Sequence, residues 1–196
     1  MKIADAQEEI RTRFAGGFYG QLVSGVLWLV SASLAVWSSP RAAIVTLVAG
    51  GFFIFPLTEL LVRLCGERAV LSATNPLRHL GMQVAFVLPL SMPLLLPVSL
   101  YRLNWFYPAL MILLGAHYLP FVTLYGMRMF AALAALLVGG GFAIAMYWSG
   151  AFSVGAWFTG ATLLVFAGGG KATAEHQRRV GAAQHGVAAD AAPRRR

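Results

Sequence analysis

The feature that most constrains this chain is a run of twenty residues without a single charge, FYGQLVSGVLWLVSASLAVW, from Phe18 to Trp37. A helix rises about 1.5 Å per residue, so this run is about 30 Å long, the thickness of a bilayer's hydrocarbon core. Five more apolar runs of similar length follow. They are Ala42–Val62, Leu80–Leu100, Trp105–Leu124, Met129–Trp148 and Phe152–Gly168. Glycine and proline inside them suit lipid-embedded helices, whose backbone bonds are satisfied within the segment. The expected fold class is therefore all-α: a polytopic integral membrane protein with six transmembrane helices. A polar segment, residues 1–17, precedes the helical domain at 18–169, and a basic tail, 170–196, follows it.

Composition agrees. The chain is 59% hydrophobic and 11% charged, against about half and about a quarter in soluble domains. The leader MKIADAQEEIRTRF mixes acids with bases over a helical length, unlike the short basic start of a secretory signal.

The net charge is +8, and its distribution reads as orientation, not as a nucleic-acid partner. With the N-terminus in the cytoplasm, the inner segments hold Lys2, Arg11, Arg13, Arg63, Arg68, Arg78, Arg128, Lys171, Arg178, Arg179 and Arg194 to Arg196. These are thirteen of the fifteen basic residues. Only Arg41 and Arg102 fall outside. By the positive-inside rule both termini are cytoplasmic. Trp37, Tyr101, Trp105, Tyr107, Tyr147 and Trp148 gather at the outer ends, where amphipathic rings favour the interface. The tail from Lys171 has no apolar period and is expected to be disordered, with its bases near anionic headgroups.

Prolines interrupt three spans. Pro89, Pro93 and Pro97 share one stripe of the third span, with Pro56 in the second and Pro120 in the fourth. Each removes a backbone hydrogen bond and frees a carbonyl one turn earlier. Broken helices of this kind line substrate sites in transporters, and the bland alternative is a curved, well-packed helix. In the fifth span Ala131, Ala135, Gly139 and Ala143 recur every four residues. Such a face lets helices approach closely, within the chain or between copies in a homo-oligomer.

Two ionisable residues lie well inside spans, Glu59 and His117. Buried charge is costly in lipid, so these are the default functional candidates. Arg63 is one turn after Glu59, giving either a structural clamp or a cation site whose charge Arg63 sets. His117 lies one turn past the middle of the fourth span, beside the carbonyl that Pro120 frees. It reads either as a packing histidine or as a proton relay. The expected polar site joins His117, Glu59, Arg63, Gln83, Tyr118 and Tyr125 between spans two, three and four. One cysteine, Cys65, and scattered histidines give no metal-ligand spacing. No catalytic constellation or nucleotide fingerprint occurs, so no enzyme activity and no cofactor are expected.

Two stretches carry a resemblance. NPLRHLG (Asn75 to Gly81) and GAHYLPFVTLY (Gly115 to Tyr125) are similar to motifs of small bacterial multi-pass proteins grouped under domain of unknown function 7010. Asn75, Pro76, Leu77, Gly81, Gly115, Ala116, His117, Leu119, Pro120, Leu124 and Tyr125 match that pattern, over roughly the central half of the chain. The resemblance implies a multi-pass fold in a bacterial inner membrane and no established activity. It places no acid at the position of Glu59. Two functions follow as expectations: a small transporter or permease-like protein with its polar site among spans two to four, or a non-transporting scaffold or accessory protein.

Overall fold

A turn with three left-handed residues launches the first long helix. Ala15, Gly16 and Gly17 have φ of 47°, 63° and 86°, which ends α1 (Ile3–Arg13) and redirects the chain into α2 (Phe18–Trp37). The computed structural model describes residues 1–65, 70–148 and 150–190. Among them 85% of the chain is helical and no strand occurs. Arg68 and Arg194 to Arg196 lie outside the described residues.

Ser39 and Pro40 start the next helix in the expected way. The Ser39 hydroxyl accepts the Ala42 N–H at 3.2 Å, and Pro40 takes the first helical position, where no N–H is needed. The second apolar run is not one rod. It divides into α3 (Pro40–Gly51) and α4 (Ile54–Leu64), bent by 59° at Phe52 and Phe53. Pro56 cannot donate to the carbonyl of Phe52, so the break falls one turn ahead of the proline.

The triple-proline run behaves differently. α5 (Arg78–Ser91) passes through a short 3-10 turn, Met92–Leu94, into α6 (Leu95–Tyr101), and the whole remains one membrane-length unit. Ser91 and Ser99 donate back to the carbonyls of Val87 and Leu95 at 2.8 and 2.7 Å, which satisfies their hydroxyls within the helix. α7 (Phe106–Tyr125) contains Pro120 without breaking and ends at Gly126, with φ of 63°. α8 (Met129–Tyr147) and α9 (Val154–Asp190) complete the chain.

Among the described residues four units are long and apolar enough to cross a membrane: Ala15–Trp37, Arg78–Tyr101, Leu103–Tyr125 and Met129–Tyr147. The bent α3–α4 pair makes a fifth if it counts as one span. α9 is not among them. Thr159, Thr162 and several glycines dilute its apolar part, which Lys171 ends. α9 runs unbroken to Asp190, into the stretch expected to be disordered. Residues 171–190 include six alanines, which favour helix, and hold no proline to stop it.

Glycines set the closest packing. A Cβ on Gly115 would lie 2.7 Å from Val138 and 2.9 Å from the Ala134 carbonyl, so α7 and α8 touch there. A Cβ on Gly141 would meet the Pro108 carbonyl at 2.8 Å. α2 and α9 run antiparallel, Gly25 against Gly160 and Leu164, and Gly16 against Gly170. α7 is the central helix. Of its most apolar stretch 44% is buried, against 11% for Arg78–Tyr101.

The small-residue face of α8 is not part of this packing. Ala131, Ala135 and Gly139 are exposed and Ala143 is half-buried. A Cβ on Gly139 would meet nothing within 4 Å. The stripe that packs is Ala134, Leu137 and Gly141, rotated around the same helix. Large side chains from α7 fix which face turns inward.

Candidate functional site

His117 sits on α7 within a ladder of rings. Its ring centroid is 5.2 Å from Phe121 and 5.9 Å from Tyr118. Phe121 stacks on Tyr125 at 5.7 Å, and Phe130 of α8 closes the group at 5.0 Å from Tyr125. The stripe at 117, 121 and 125 follows from helical spacing, and Phe130 adds the facing wall. The histidine is half-buried, lies against the backbone of Val84 on α5, and its Nδ1 is buried without a hydrogen-bond partner.

The structure brings His117, Tyr118 and Tyr125 together and leaves the other expected members outside. Glu59 and Arg63 pair with each other on α4 with side chains 41% and 70% exposed, and α4 packs on α2. α4 leaves α3 at a bend of 59°. Gln83 is exposed although Val84 beside it is buried. One residue is about 100° of helical rotation, enough to carry the amide off the interface. Ala116 is exposed as well, so close approach is carried by Gly115 alone.

Other polar groups lie deeper, among them Tyr107, a ring expected at the outer interface that the packing of α7 buries instead. Tyr107 of α7 is fully buried with its hydroxyl 2.6 Å from Ser31 Oγ of α2, and Ser31 donates to the carbonyl of Ala43 on α3 at 2.9 Å. Since Ser31 spends its proton on Ala43, Tyr107 is the donor between them. Gln21 of α2 is 2% exposed and both of its amide atoms lack partners. Thr159 of α9 is fully buried with an unpartnered hydroxyl. Gln21, Ser24, Trp28 and Ser31 form one buried stripe with spacings of three and four. That spacing was visible in the sequence. A search weighted toward titratable residues ignores it.

At the α1 end several polar side chains are paired. Gln7 donates to the Thr123 carbonyl and Arg11 to the Tyr125 carbonyl, each at 2.7 Å. These are among the last carbonyls of α7, which have no partner within the helix. A Cβ on Gly126 would lie 2.7 Å from Gln7 Oε1 and 2.9 Å from Arg11 Nη1, so glycine admits both side chains and the positive φ. Asn75 donates to the Ala6 carbonyl at 3.2 Å and to Glu9 Oε2 at 2.8 Å, while its own Oδ1 accepts the Leu77 N–H. Glu9 also accepts from the Ser72 N–H and hydroxyl, at 2.7 and 3.0 Å. These donors, Asn75 foremost, hold the Glu9 carboxyl below the usual carboxylate range.

Four apolar spans with aromatic and amide groups turned inward define an all-helical protein of the membrane type. The chain belongs to a family of unknown function (DUF7010), whose model matches residues 3–169. No curated protein and no solved structure matches the chain.

Proposed function

We propose that this is a six-span protein of a bacterial inner membrane, with both termini cytoplasmic, acting as a small solute carrier of the permease type. It takes no cofactor and catalyses no covalent step. Six spans are supported by the antiparallel course of α9 along α2, from Gly160 at Gly25 to Gly170 at Gly16. A helix lying against a spanning helix for that length shares its depth. The N-terminal turn and Gly170 then share one end, in keeping with the excess of basic residues there.

One observation carries the carrier reading. Inside an apolar bundle, Gln21, Thr159 and His117 hold buried polar atoms without hydrogen-bond partners. Such groups are costly in lipid, and inward-facing polar residues mark solute and ion paths. The site expected among spans two to four contributes His117 and the adjoining tyrosines only.

The accessory-protein reading has its own support. The Ser31–Tyr107, Asn75–Glu9 and Arg11–Tyr125 contacts spend polar groups on fastening helices together. The two readings separate on His117. His117→Ala and His117→Gln are compared for folded yield and for solute or proton flux in liposomes. Loss of flux in both variants at normal yield supports a carrier. Full flux in the Gln variant, with only lowered yield in the Ala variant, makes the residue structural. A reporter fused at Lys171 should be active on the cytoplasmic side alone; a periplasmic signal overturns the orientation.

A further inference from the structure

Gln21 lies one turn after Gly17, the left-handed residue that precedes α2, and one turn before Gly25 on the same face of the helix. Its neighbours therefore bracket it. Gly17 faces the Phe130 and Tyr125 rings, and Gly25 meets Leu164 and the Gly160 carbonyl of α9. Thr159 directly precedes Gly160, and Ser24 is buried on the same stripe of α2. Gln21 thus leaves a complete amide, and Thr159 a hydroxyl, with no partner, Thr159 lying on α9 between Gly155, which meets Tyr107 and Met111 of α7, and Gly160, which meets α2. Residues 18–37 and 154–170, which form the two walls of the α2–α9 seam, contain no charged residue.

The inner end of the seam is closed by glycines on both sides. Gly16 and Gly170 cross so closely that a Cβ on Gly170 would lie 2.8 Å from the Gly16 carbonyl. Gly168 and Gly169 are different. A Cβ on either would meet nothing within 4 Å, so packing does not require them. Two adjacent glycines inside a helix weaken it at that point and give α9 a joint beside the closure.

We propose that the seam between α2 and α9 is a binding site for a small uncharged solute that both donates and accepts hydrogen bonds, with Gln21 as its principal contact, Thr159 and Ser24 beside it, and the α9 glycines as the joint that opens it. The amide demands a ligand with both a donor and an acceptor. The uncharged walls exclude ions, because a charge desolvated there finds no counter-charge. The proposal rests on the carrier reading and names its substrate class. It adds a solute contact on the α2–α9 seam to the path past His117 on α7.

The test uses the full chain in lipid nanodiscs with Cys65→Ser and a single new thiol, Thr159→Cys. Iodoacetamide, an uncharged amide, and iodoacetate, an anion of the same shape, are compared by mass spectrometry. The exposed Cys65 of the native chain gives the reference ratio. Leu137→Cys, equally buried between α7 and α8, controls for entry through lipid. The seam thiol should react with iodoacetamide, and its preference over iodoacetate should exceed that of Cys65 by about tenfold or more. Adding Gly168→Ala and Gly169→Ala should slow the reaction about tenfold, since labelling of a closed site follows the population of its open form. Adding Gln21→Leu should remove most of the amide preference. If Thr159→Cys is as inert as Leu137→Cys, or shows the reagent ratio of Cys65, the site does not exist. If the two alanines leave the rate unchanged, the joint is wrong. Should Thr159→Cys fail to fold, Ser24→Cys reports on the same seam. No flux is measured, so failure here removes the seam while the His117 experiment still judges the carrier reading.

Discussion

The side-chain amide of Asn75 donates to the carboxylate of Glu9 at 2.8 Å and to the carbonyl of Ala6 at 3.2 Å, tying the connection before α5 to the N-terminal helix. Asn75 is buried, and its carbonyl oxygen holds the Leu77 N–H. Asn75→Ala leaves the buried Leu77 N–H without its acceptor and takes one donor each from Glu9 and the Ala6 carbonyl. It should lower stability by about 1–3 kcal/mol. Asn75→Asp should cost more, because it sets a second carboxylate against Glu9. A lower Tm, with faster hydrogen exchange confined to α1 and residues 70–77, is the expected result. A uniform change across the protein would contradict this link.

The same contact gives a pH dependence with a defined sign. The Glu9 carboxyl is lowered in the folded protein, first by the Asn75 amide and then by the Ser72 N–H. A carboxylate lowered on folding contributes stability above its unfolded value, and that contribution is lost as pH falls through the folded value. Thermal stability should therefore be flat near neutral pH and decline as pH drops below the ordinary glutamate range. Glu9→Gln should be less stable at neutral pH and should lose part of the acid slope. An unchanged slope in the variant would show that other groups set it.

The hydroxyl of Tyr107 is tested by removal. It joins α7 to Ser31, which in turn joins α2 to α3 through Ala43. Tyr107→Phe keeps the ring contacts with Trp28 and Phe152, at 5.8 and 4.8 Å. The variant should fold and lose about 0.5–1.5 kcal/mol, with coupling to Ser31→Ala in a double-mutant cycle of about 0.6 kcal/mol. Additive single effects would mean that the two hydroxyls do not share a bond.

Two glycines should respond in opposite ways. Gly115→Ala places a Cβ against Val138 and the Ala134 carbonyl, forcing α7 and α8 apart. Overpacking of this kind costs about 1–3 kcal/mol. Gly139→Ala meets open space, so it should be neutral or stabilise by up to about 1 kcal/mol through helix propensity. We propose that the exposed face of Ala131, Ala135 and Gly139 is the surface through which copies associate. Gly139→Leu should then shift the chain from oligomer to monomer in size-exclusion chromatography with light scattering, and leave the Tm of the monomer unaltered. An unchanged mass in the Leu variant would remove that surface.

How far the sequence could be read depends on which physical quantity each element needs. The limits of α2, Phe18 to Trp37, are legible because an apolar run and the flanking glycines mark both length and start. The bend at Phe52 is not legible as a bend. Pro56 announces a missing hydrogen bond, yet the angle depends on what α4 packs against. His117, Tyr118 and Tyr125 are legible as neighbours because they share one helix. The grouping of Glu59, Arg63 and Gln83 with them needed helix rotation and helix pairing, and local sequence carries neither. Gln21 and Thr159 escaped notice for a related reason. An uncharged polar residue in an apolar run announces nothing until the helices around it show whether it has a partner.

By itself, then, the sequence determined the class of molecule: helices of membrane length, the short connections between them, the asymmetry of basic residues, and the Asn75 and His117 motifs. These follow from the length an apolar helix must have and from where charge can lie. The tertiary structure alone decided which face of each helix turns inward. A rotation of one residue separates the buried Val84 from the exposed Gln83, and the same rotation separates the Ala134 stripe that packs from the Ala135 and Gly139 face that does not. Helix phase is set by contacts between residues distant in sequence. For that reason only the packed bundle located the unpartnered amide of Gln21 and the close crossing of Gly25 on Gly160.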